Sequence, residues 1–279
     1  MSSTRLFILF ILLILSPLFT QMKDGEHIEY YKNGNIKHRA DIKDGKINGL
    51  FVWYYENGNK KIEQYYSNGI EHGAYITYFE KGGIRKKENY FHGEKDGQFQ
   101  YYFPNGICKT EFQFKEGQEH GPFQEWDENG TLIKEGFYLS GKHDKKWNSY
   151  YPSGMIKSEE FYVEGIPEGQ WESYWEGNRI KSIENYDQGL RDGKWEAYFE
   201  NGSVEFIQYF QDGQPDGTWI SYYVNGKERL RKSYKYGVPD GLWIEYYATG
   251  SVKKDGYYKN GEKTGVWKEY DEKGKSIRN

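Results

Sequence analysis

Short runs that alternate apolar and polar residues recur along the chain, separated by glycine-containing segments. The stretch GKWEAYFENG at 193–202 returns as GTWISYYVNG at 217–226, as GLWIEYYATG at 241–250 and as GVWKEYDEKG at 265–274. Each run is rich in aromatic residues and leads into a second run, such as SVEFIQYF at 203–210. Alternation with a period of two, bounded by turn residues, predicts β-strands.

The glycines follow three phases with a constant spacing of 24 residues. The first phase runs from Gly25 to Gly265 and is broken at Lys145, the second runs from Gly34 to Gly274 and is broken at Asn178, and the third runs unbroken from Gly45 to Gly261. A constant unit length is typical of repeat proteins, in which each unit packs on its neighbours. The predicted fold class is therefore all-β: an elongated single-sheet solenoid of about eleven stacked 24-residue antiparallel β-hairpins.

The Asn-Gly pair of the second glycine phase, as in Asn201-Gly202, predicts a two-residue hairpin turn in which both residues have positive φ. Counted outward from that turn, the predicted opposed pairs are Phe199 with Val204, Tyr198 with Glu205, Trp195 with Gln208, and Gly193 with Phe210. Directly opposed residues share a face of the sheet. One face of each hairpin is thus predicted to carry the residues equivalent to Trp195, Phe199, Val204 and Phe210, and stacking of hairpins would bury them.

An aromatic residue also recurs at the position of Tyr198 in all eleven repeats, and this set is called the tyrosine ladder. Its members are Tyr30, Tyr54, Tyr78, Tyr102, Trp126, Tyr150, Tyr174, Tyr198, Tyr222, Tyr246 and Tyr270. The predicted register places the ladder on the opposite face, often across from Lys or Arg, as for Tyr102 with Lys109. The candidate ligand or partner site is Tyr150, Tyr174, Tyr198, Tyr222 and Tyr246, whose rings could stack on sugars or hold cations. The alternative is that a bulge folds these rings into a second thin core.

Composition supports an aromatic core rather than an aliphatic one. Aromatic residues make up 19% of the 279 residues, whereas the mean hydropathy is −0.98. The formal net charge of −4 comes from interspersed acidic and basic residues, without the basic stripe that nucleic-acid binding requires. Cys108 is the one cysteine, so no disulfide can form within the chain.

The first twenty residues, MSSTRLFILFILLILSPLFT, place Arg5 ahead of an apolar run from Leu6 to Leu15. That run is short for a membrane span and is ended by Ser16 and Pro17, so it predicts a secretory signal peptide over residues 1–20. An uncleaved anchor is the alternative. The expected location is extracytoplasmic: secreted, periplasmic or envelope-associated. The remaining residues, 21–279, form the predicted repeat array.

Catalytic motifs are absent from the sequence. It contains no G-x-S-x-G, no phosphate-binding glycine loop and no H-E-x-x-H. The recurring acidic residues Asp96, Asp192, Asp216 and Asp240 precede glycines of the first phase, where an Asp commonly accepts hydrogen bonds from nearby backbone N–H groups. We therefore expect no enzyme activity, no cofactor, and no catalytic or metal site.

The stretch DGKWEAYFENGSVEFIQYFQDGQPDGTW at 192–219 resembles the MORN repeat variant family, whose members are often called YwqK-like antitoxins. The resemblance covers residues 24–279 and implies stacked β-hairpins with a scaffold or binding role. The first five repeats depart from it, because they carry His27, Phe51, Tyr75, Phe99 and Phe123 where the six later repeats carry Trp. The W-x-x-Y-Y-x-N-G core is also similar to choline- and glucan-binding cell-wall repeats.

Three functions stay open at this point. The leading hypothesis is an exported, non-enzymatic scaffold that binds a protein partner; the second is binding of a glycan or cell-envelope ligand through the tyrosine ladder; the third is an antitoxin that neutralises a toxin. Nucleic acid is not an expected partner. Self-association as a homodimer could use the aromatic sheet face or the exposed edge strands.

Overall fold

The computed structural model describes residues 23–278, and within them it contains strands and turns but no helix. None of these residues therefore belongs to a helix that could cross a membrane. The predicted signal peptide at residues 1–20 lies outside the described residues. The chain divides into two compact units: unit 1 extends to Leu132 and includes Tyr138–Gly141, and unit 2 comprises Ile133–Phe137 and the chain from Lys142 onward.

The strands, in chain order, are β1 Gly25–Tyr30, β2 Ile36–Lys43, β3 Lys46–Tyr54, β4 Lys60–Ser67, β5 Ile70–Tyr78, β6 Ile84–Phe91, β7 Glu94–Lys95, β8 Gly97–Tyr102, β9 Cys108–Lys115, β10 Gln118–Glu119, β11 Gly121–Trp126, β12 Leu132–Leu139, β13 Lys142–Tyr150, β14 Ile156–Val163, β15 Ile166–Pro167, β16 Gly169–Trp175, β17 Arg179–Asp187, β18 Leu190–Arg191, β19 Gly193–Tyr198, β20 Val204–Gln211, β21 Gln214–Pro215, β22 Gly217–Tyr222, β23 Glu228–Lys235, β24 Val238–Tyr246, β25 Val252–Lys259, β26 Glu262–Tyr270 and β27 Ser276–Arg278.

Within each unit, strands that follow one another along the chain pair antiparallel. In unit 1, β1 pairs with β2, β2 with β3 and β3 with β4. In unit 2, β19 pairs with β20, β20 with β22 and β22 with β23. The two-residue strands, such as β21, are the beginnings of the next long strand, separated from it by an irregularity before a first-phase glycine. The predicted all-β array of repeated hairpins is confirmed.

The Asn-Gly turn differs from the prediction. At 199–203, Gly202 N donates to Phe199 O at 2.8 Å and Phe199 N donates to Ser203 O at 2.8 Å. Gly202 has a φ of 86°, whereas Asn201 is not among the residues with positive φ. The segment is thus a longer turn closed by one left-handed glycine, the geometry of a three-residue hairpin loop with a bulge, and the prediction of a two-residue turn at this place was wrong.

The two-residue turn with both φ values positive lies instead at the third glycine phase. Asp212 and Gly213 have φ values of 49° and 78° between the pair Gln211 and Gln214. Type I′ geometry requires positive φ at both central residues, which glycine adopts freely and Asn or Asp tolerates. The Asp before a first-phase glycine accepts a hydrogen bond from the type I′ turn that follows about twenty residues later. In this repeat, Asp192 Oδ1 accepts from Asp212 N at 3.3 Å.

A β-bulge in the second strand corrects part of the predicted register. The pairs of Gly193 with Phe210 and Trp195 with Gln208 are confirmed, but Tyr198 faces Val204 because Glu205 is the extra residue of the bulge. Val204 consequently leaves the predicted core face, and Phe199 lies in the turn. The same shift places Cys108, not Lys109, across from Tyr102, and places Glu228 across from Tyr222.

The face that carries Trp195 and Phe210, here called the core face, holds a continuous stack of rings in unit 2. The ring centroids of successive members lie 4.7–6.5 Å apart from Trp171 to Trp267. The members are Trp171, Tyr186, Trp195, Phe210, Trp219, Tyr234, Trp243, Tyr258 and Trp267. Each ring covers the ring on the next strand, so one sheet face supplies its own apolar contacts.

Candidate functional site

The five candidate tyrosines occupy one face of unit 2, here called the ladder face. Tyr150, Tyr174, Tyr198, Tyr222 and Tyr246 each lie at or next to the end of the first strand of a hairpin, and all five side chains are half-buried. Because side chains alternate along a strand, Tyr198 points away from Trp195, three residues earlier. Tyr198 and Trp195 therefore lie on opposite faces of the sheet, and the bulge that the alternative required is also present.

Carboxylates hold the hydroxyl groups of the first two ladder tyrosines of unit 2. Tyr150 Oη donates to Glu135 Oε1 at 2.5 Å, and Tyr174 Oη donates to Glu172 and, at 3.4 Å, to Glu159 Oε2. Burial and the hydrogen bond to Glu135 raise the pKa of Tyr150 to about 12. These hydroxyls stay protonated at neutral pH and their rings are fixed in position.

The three later ladder tyrosines also lie near carboxylates. Burial is the main cause that raises the pKa of Tyr198, Tyr222 and Tyr246, followed by the charge of Glu196 for Tyr198 and of Glu228 for the other two. The backbone of the ladder is held from the adjoining turns as well. Trp175 Nε1 donates to Tyr198 O at 3.0 Å, and Tyr223 Oη donates to Tyr246 O at 2.8 Å.

A single row of side chains crosses the ladder face beside the tyrosines, and the part of it that has one residue on each long strand from β14 to β26 is called the central row. Asn148 on β13 continues the row beyond Glu159. In strand order the members of the central row are Glu159, Glu172, Ile183, Glu196, Ile207, Ile220, Arg231, Ile244, Asp255 and Lys268, each directly paired with the next. Acidic side chains begin the row, isoleucines occupy its middle and Lys268 ends it. Neighbouring strands lie about 4.8 Å apart, so the row forms a nearly continuous ridge.

Exposed apolar side chains lie on the other side of the central row. Phe161, Tyr209, Tyr257 and Val266 are exposed to 40%, 41%, 55% and 63%. An open depression of about 660 Å³ also lies in unit 2, lined by Arg231, Leu242, Ile244 and Tyr246 together with Lys227 in the turn before β23 and Glu228 at the start of β23. The ladder face thus combines half-buried rings and exposed apolar side chains with the charged members of the central row. Exposed apolar side chains that lie together on one face are typical of binding surfaces.

The cations predicted to face the tyrosine ladder lie elsewhere. The Lys residues at the bulge position approach the aromatic ring that follows the ladder residue: Lys181 Nζ lies 4.7 Å from the centroid of Trp175, and Lys109 Nζ lies 5.7 Å from that of Phe103. Arg229 Nε lies 3.4 Å from Ser221 Oγ rather than over Tyr222. Because of the bulge, these cations lie beside the hairpin turns rather than across from the ladder tyrosines.

Sequence reasoning missed the central row. Its members alternate between two repeat positions, so that successive members are separated by 13 and then 11 residues. To find that pattern, one must know how the strand before each type I′ turn pairs with the strand after it. That pairing shifts by two residues near each first-phase glycine. In unit 2, for example, Phe210 pairs with Pro215 but Ile207 pairs with Ile220.

Six segments match the family model described as the MORN repeat variant: residues 23–44, 47–68, 119–140, 144–164, 191–212 and 239–260. Each matched MORN-variant segment covers one hairpin around the Asn-Gly-type turn and ends in or next to the following type I′ turn. No curated protein matches the chain.

Solved structures that match include the crystal structure of TcdB2-TccC3, at 12% identity with a TM-score of 0.21, and the structure of the Photorhabdus luminescens Tc holotoxin pore, at 13% identity with a TM-score of 0.21. Each match covers 90% of this chain and 17% of the other chain. The chain therefore spans about a sixth of the length of these proteins.

Proposed function

We propose that this protein is an exported, non-enzymatic scaffold that binds a protein partner along the ladder face of unit 2. The observation that carries the proposal is the central row with its flanking tyrosines: Ile183, Ile207, Ile220 and Ile244 share one face with half-buried rings. MORN-variant repeats support a scaffold role. Export rests on the predicted signal peptide at residues 1–20.

Two sequence-based alternatives remain proposals of lower rank. The half-buried rings of the tyrosine ladder recur on every second long strand, about 10 Å apart, and flat rings at such intervals could stack on a glycan. The YwqK-like resemblance suggests an antitoxin. An antitoxin for a cytoplasmic toxin would have to remain in the cytoplasm, so secretion of a reporter fused after residues 1–20 would contradict that role.

The test replaces Tyr174, Tyr198 and Tyr222 together by Ser in the chain lacking residues 1–20. The wild-type chain should capture a protein from envelope extracts, and the triple variant should lose it while its circular dichroism stays unchanged. Tyr236→Ser, at a 56% exposed turn position away from the ladder face, is the control and should capture the partner normally. Retention of polysaccharide rather than protein would support the glycan alternative, and unimpaired capture by the triple variant would contradict both.

A further inference from the structure

The side chains of the central row of unit 2 are largely complementary to one another about the middle of the row. For the ten members from Glu159 to Lys268 the middle lies between Ile207 and Ile220, which are directly paired, and Asn148 on β13 lies outside this set, beyond Glu159. Counted outward from this point, the members of the row at equal distances are Ile207 with Ile220, Glu196 with Arg231, Ile183 with Ile244, Glu172 with Asp255, and Glu159 with Lys268. Two of these pairs are apolar and two have opposite charges, whereas one pair, Glu172 with Asp255, has like charges.

This order matters because a two-fold axis would place members at equal distances from the middle opposite each other in two copies of the chain. An axis that lies between two facing sheets and parallel to their strands reverses the order of the strands. It leaves the position along each strand unchanged. Each residue then faces the member at the same distance on the other side of the middle, as in any isologous interface. Ile207 would face Ile220 of a second copy, and Glu196 would face Arg231.

From this self-complementarity we infer that the ladder face of unit 2 binds a second copy of the chain, with the central rows antiparallel. The inference rests on the proposed function and names the partner for that surface. Four of the five pairings are favourable in this arrangement. In the parallel arrangement each residue would face its own copy, so that every charge would meet a like charge.

The flanking residues agree with the same axis. The ladder tyrosines occur on every second long strand, so reversal of the strand order places the rings of one copy between the rings of the other. On the other side of the row, Phe161 and Val266, which are 40% and 63% exposed, become partners across the interface. Two sheets packed in this aligned manner interdigitate side chains at a separation of about 10 Å.

The size of the surface is adequate for a dimer. Ten strands at about 4.8 Å give a row roughly 45 Å long, and three side-chain rows make the face roughly 18 Å wide. The product is on the order of 800 Å² for each copy, which is the usual size of a stable interface. Existing ion pairs would remain in place, since Lys194 Nζ lies 2.6 Å from Glu196 Oε1 and Arg231 Nε lies 3.1 Å from Glu228 Oε2.

Charge reversal tests the axis directly. Sedimentation velocity of the chain lacking residues 1–20 should show a monomer-dimer equilibrium. Glu196→Arg and Arg231→Glu should each weaken dimerisation by about 100-fold, because each variant places like charges opposite each other twice. An equimolar mixture of the two variants should restore the dimer, since every altered charge then faces its opposite. Glu200→Arg, at an exposed turn, is the matched control and should dimerise normally.

Several outcomes would overturn the inference. A wild-type chain that stays monomeric at high micromolar concentration would do so, as would single variants that dimerise normally or a mixture that stays monomeric. Circular dichroism confirms that each variant is folded, and the double variant Glu196→Arg/Arg231→Glu should dimerise by itself. If the chain is monomeric but the tyrosine triple variant still loses a partner from extracts, self-association is wrong and the proposed scaffold function stands.

Discussion

Unit 1 and unit 2 carry different aromatic rings at the same position of their repeats, and each unit buries some of these rings and leaves others half-buried. In unit 1 the rings of Phe51 and Phe99 are 3% and 0% exposed, whereas Tyr75 and Phe123 are half-buried. In unit 2, Trp147 and Trp195 reach 2% and 6%, but Trp171, Trp219 and Trp243 are half-buried. The change from Phe and Tyr to Trp in the sequence thus falls close to the boundary between the two compact units.

The two kinds of ring differ in hydrogen bonding. A Phe ring has no polar atom, so complete burial leaves no group unsatisfied, whereas an indole N–H needs an acceptor. Trp171 Nε1 donates to Phe161 O at 2.9 Å and Trp195 Nε1 donates to Asn185 O at 2.8 Å. Each bond fixes a ring against the backbone of the preceding strand.

Buried polar side chains occur on the core face of unit 1. Among residues 23–278, the polar or charged side chains classed as buried are His38, Gln64, Thr77, Glu88 and Thr110, all in unit 1. Glu88 lies 2.9 Å from Lys86 Nζ and accepts from the hydroxyls of Tyr90 and Tyr101, each at 3.2 Å. In unit 2 the equivalent Glu160 and Glu184 accept from the hydroxyls of Tyr162 and Tyr186 but are only half-buried. The comparison teaches that the same polar contact lies deeper beside the Phe and Tyr rings of unit 1 than beside the indoles of unit 2.

The largest expected loss of stability comes from removing a fully buried ring. Phe99→Ala should lower the free energy of unfolding by about 3–5 kcal/mol, because it removes a fully buried side chain and leaves a cavity. Trp171→Ala, at the same repeat position of unit 2, should cost roughly half as much since the ring is half-buried. Urea unfolding measures both, and hydrogen exchange assigns the loss to a unit. Equal losses of stability would show that the burial of the ring does not set the cost of removing it.

A smaller loss of stability is expected when a side chain is added to a glycine that an indole ring covers. A Cβ added at Gly136 would come within 2.1 Å of Trp147 Cδ2, so Gly136→Ala must displace a ring that is 2% exposed. The expected loss of stability is about 1–3 kcal/mol, the usual cost of overpacking.

Gly256→Ala is the matched variant for that test, because its Cβ would come within 2.2 Å of Trp267 Cδ2. Trp267 is only half-buried and has more room to turn away, so the loss should be smaller. Near-ultraviolet circular dichroism reports the displaced indole in each variant. An unchanged indole signal and unchanged stability in Gly136→Ala would contradict the close contact.

The smallest effect concerns the polar network of unit 1. Burial, which outweighs the hydrogen bond from Gln64, together with the charge of Glu88 raises the pKa of Glu71. The folded protein then holds this proton more tightly than the unfolded chain, so stability from Glu71 is present at acid pH and is lost as the pH rises through the carboxyl range.

Glu71→Gln should make unit 1 more stable at neutral pH than the wild type and flatten its loss of stability between about pH 4 and pH 7. Gln64 Nε2, which lies 2.7 Å from Glu71 Oε1, can still donate to the new amide oxygen. Urea unfolding at a series of pH values checks the slope. Glu200→Gln, in an exposed turn of unit 2, controls for the loss of one carboxylate, and an equal slope in all three proteins would refute the role of Glu71.

The place of the type I′ turn in each repeat was not predictable from the turn residues alone. The third glycine phase and its neighbours, such as Asp212-Gly213, adopt type I′ turns, whereas the residue pattern predicted that turn at Asn201-Gly202. Asn-Gly and Asp-Gly both suit that turn, and other repeats form it with His92, Glu116 or Tyr236 before the glycine, so residue type alone does not decide its place. The choice depends on how many residues the flanking strands keep in register. The bulge at Glu205 makes that choice, and it arises from pairing over the whole hairpin rather than from the turn residues.

The candidate site was likewise predictable only in part. The tyrosine ladder was found because its members share one repeat position, and alternation along the strand was enough to predict its facing. The central row draws on two repeat positions, so it becomes visible once β14, β16 and the later strands are paired. The contact between Glu159 and Tyr174, for example, joins residues of neighbouring hairpins.

By itself, the sequence determined the all-β class, the 24-residue unit and the separation of Trp195 from Tyr198 onto opposite faces, because strict periodicity and strand alternation act locally. The tertiary structure alone decided which turn is type I′, which cations lie beside the hairpin turns and which residues form the central row. These features depend on bulges and inter-hairpin register, which are set when many backbone hydrogen bonds and ring contacts are satisfied together.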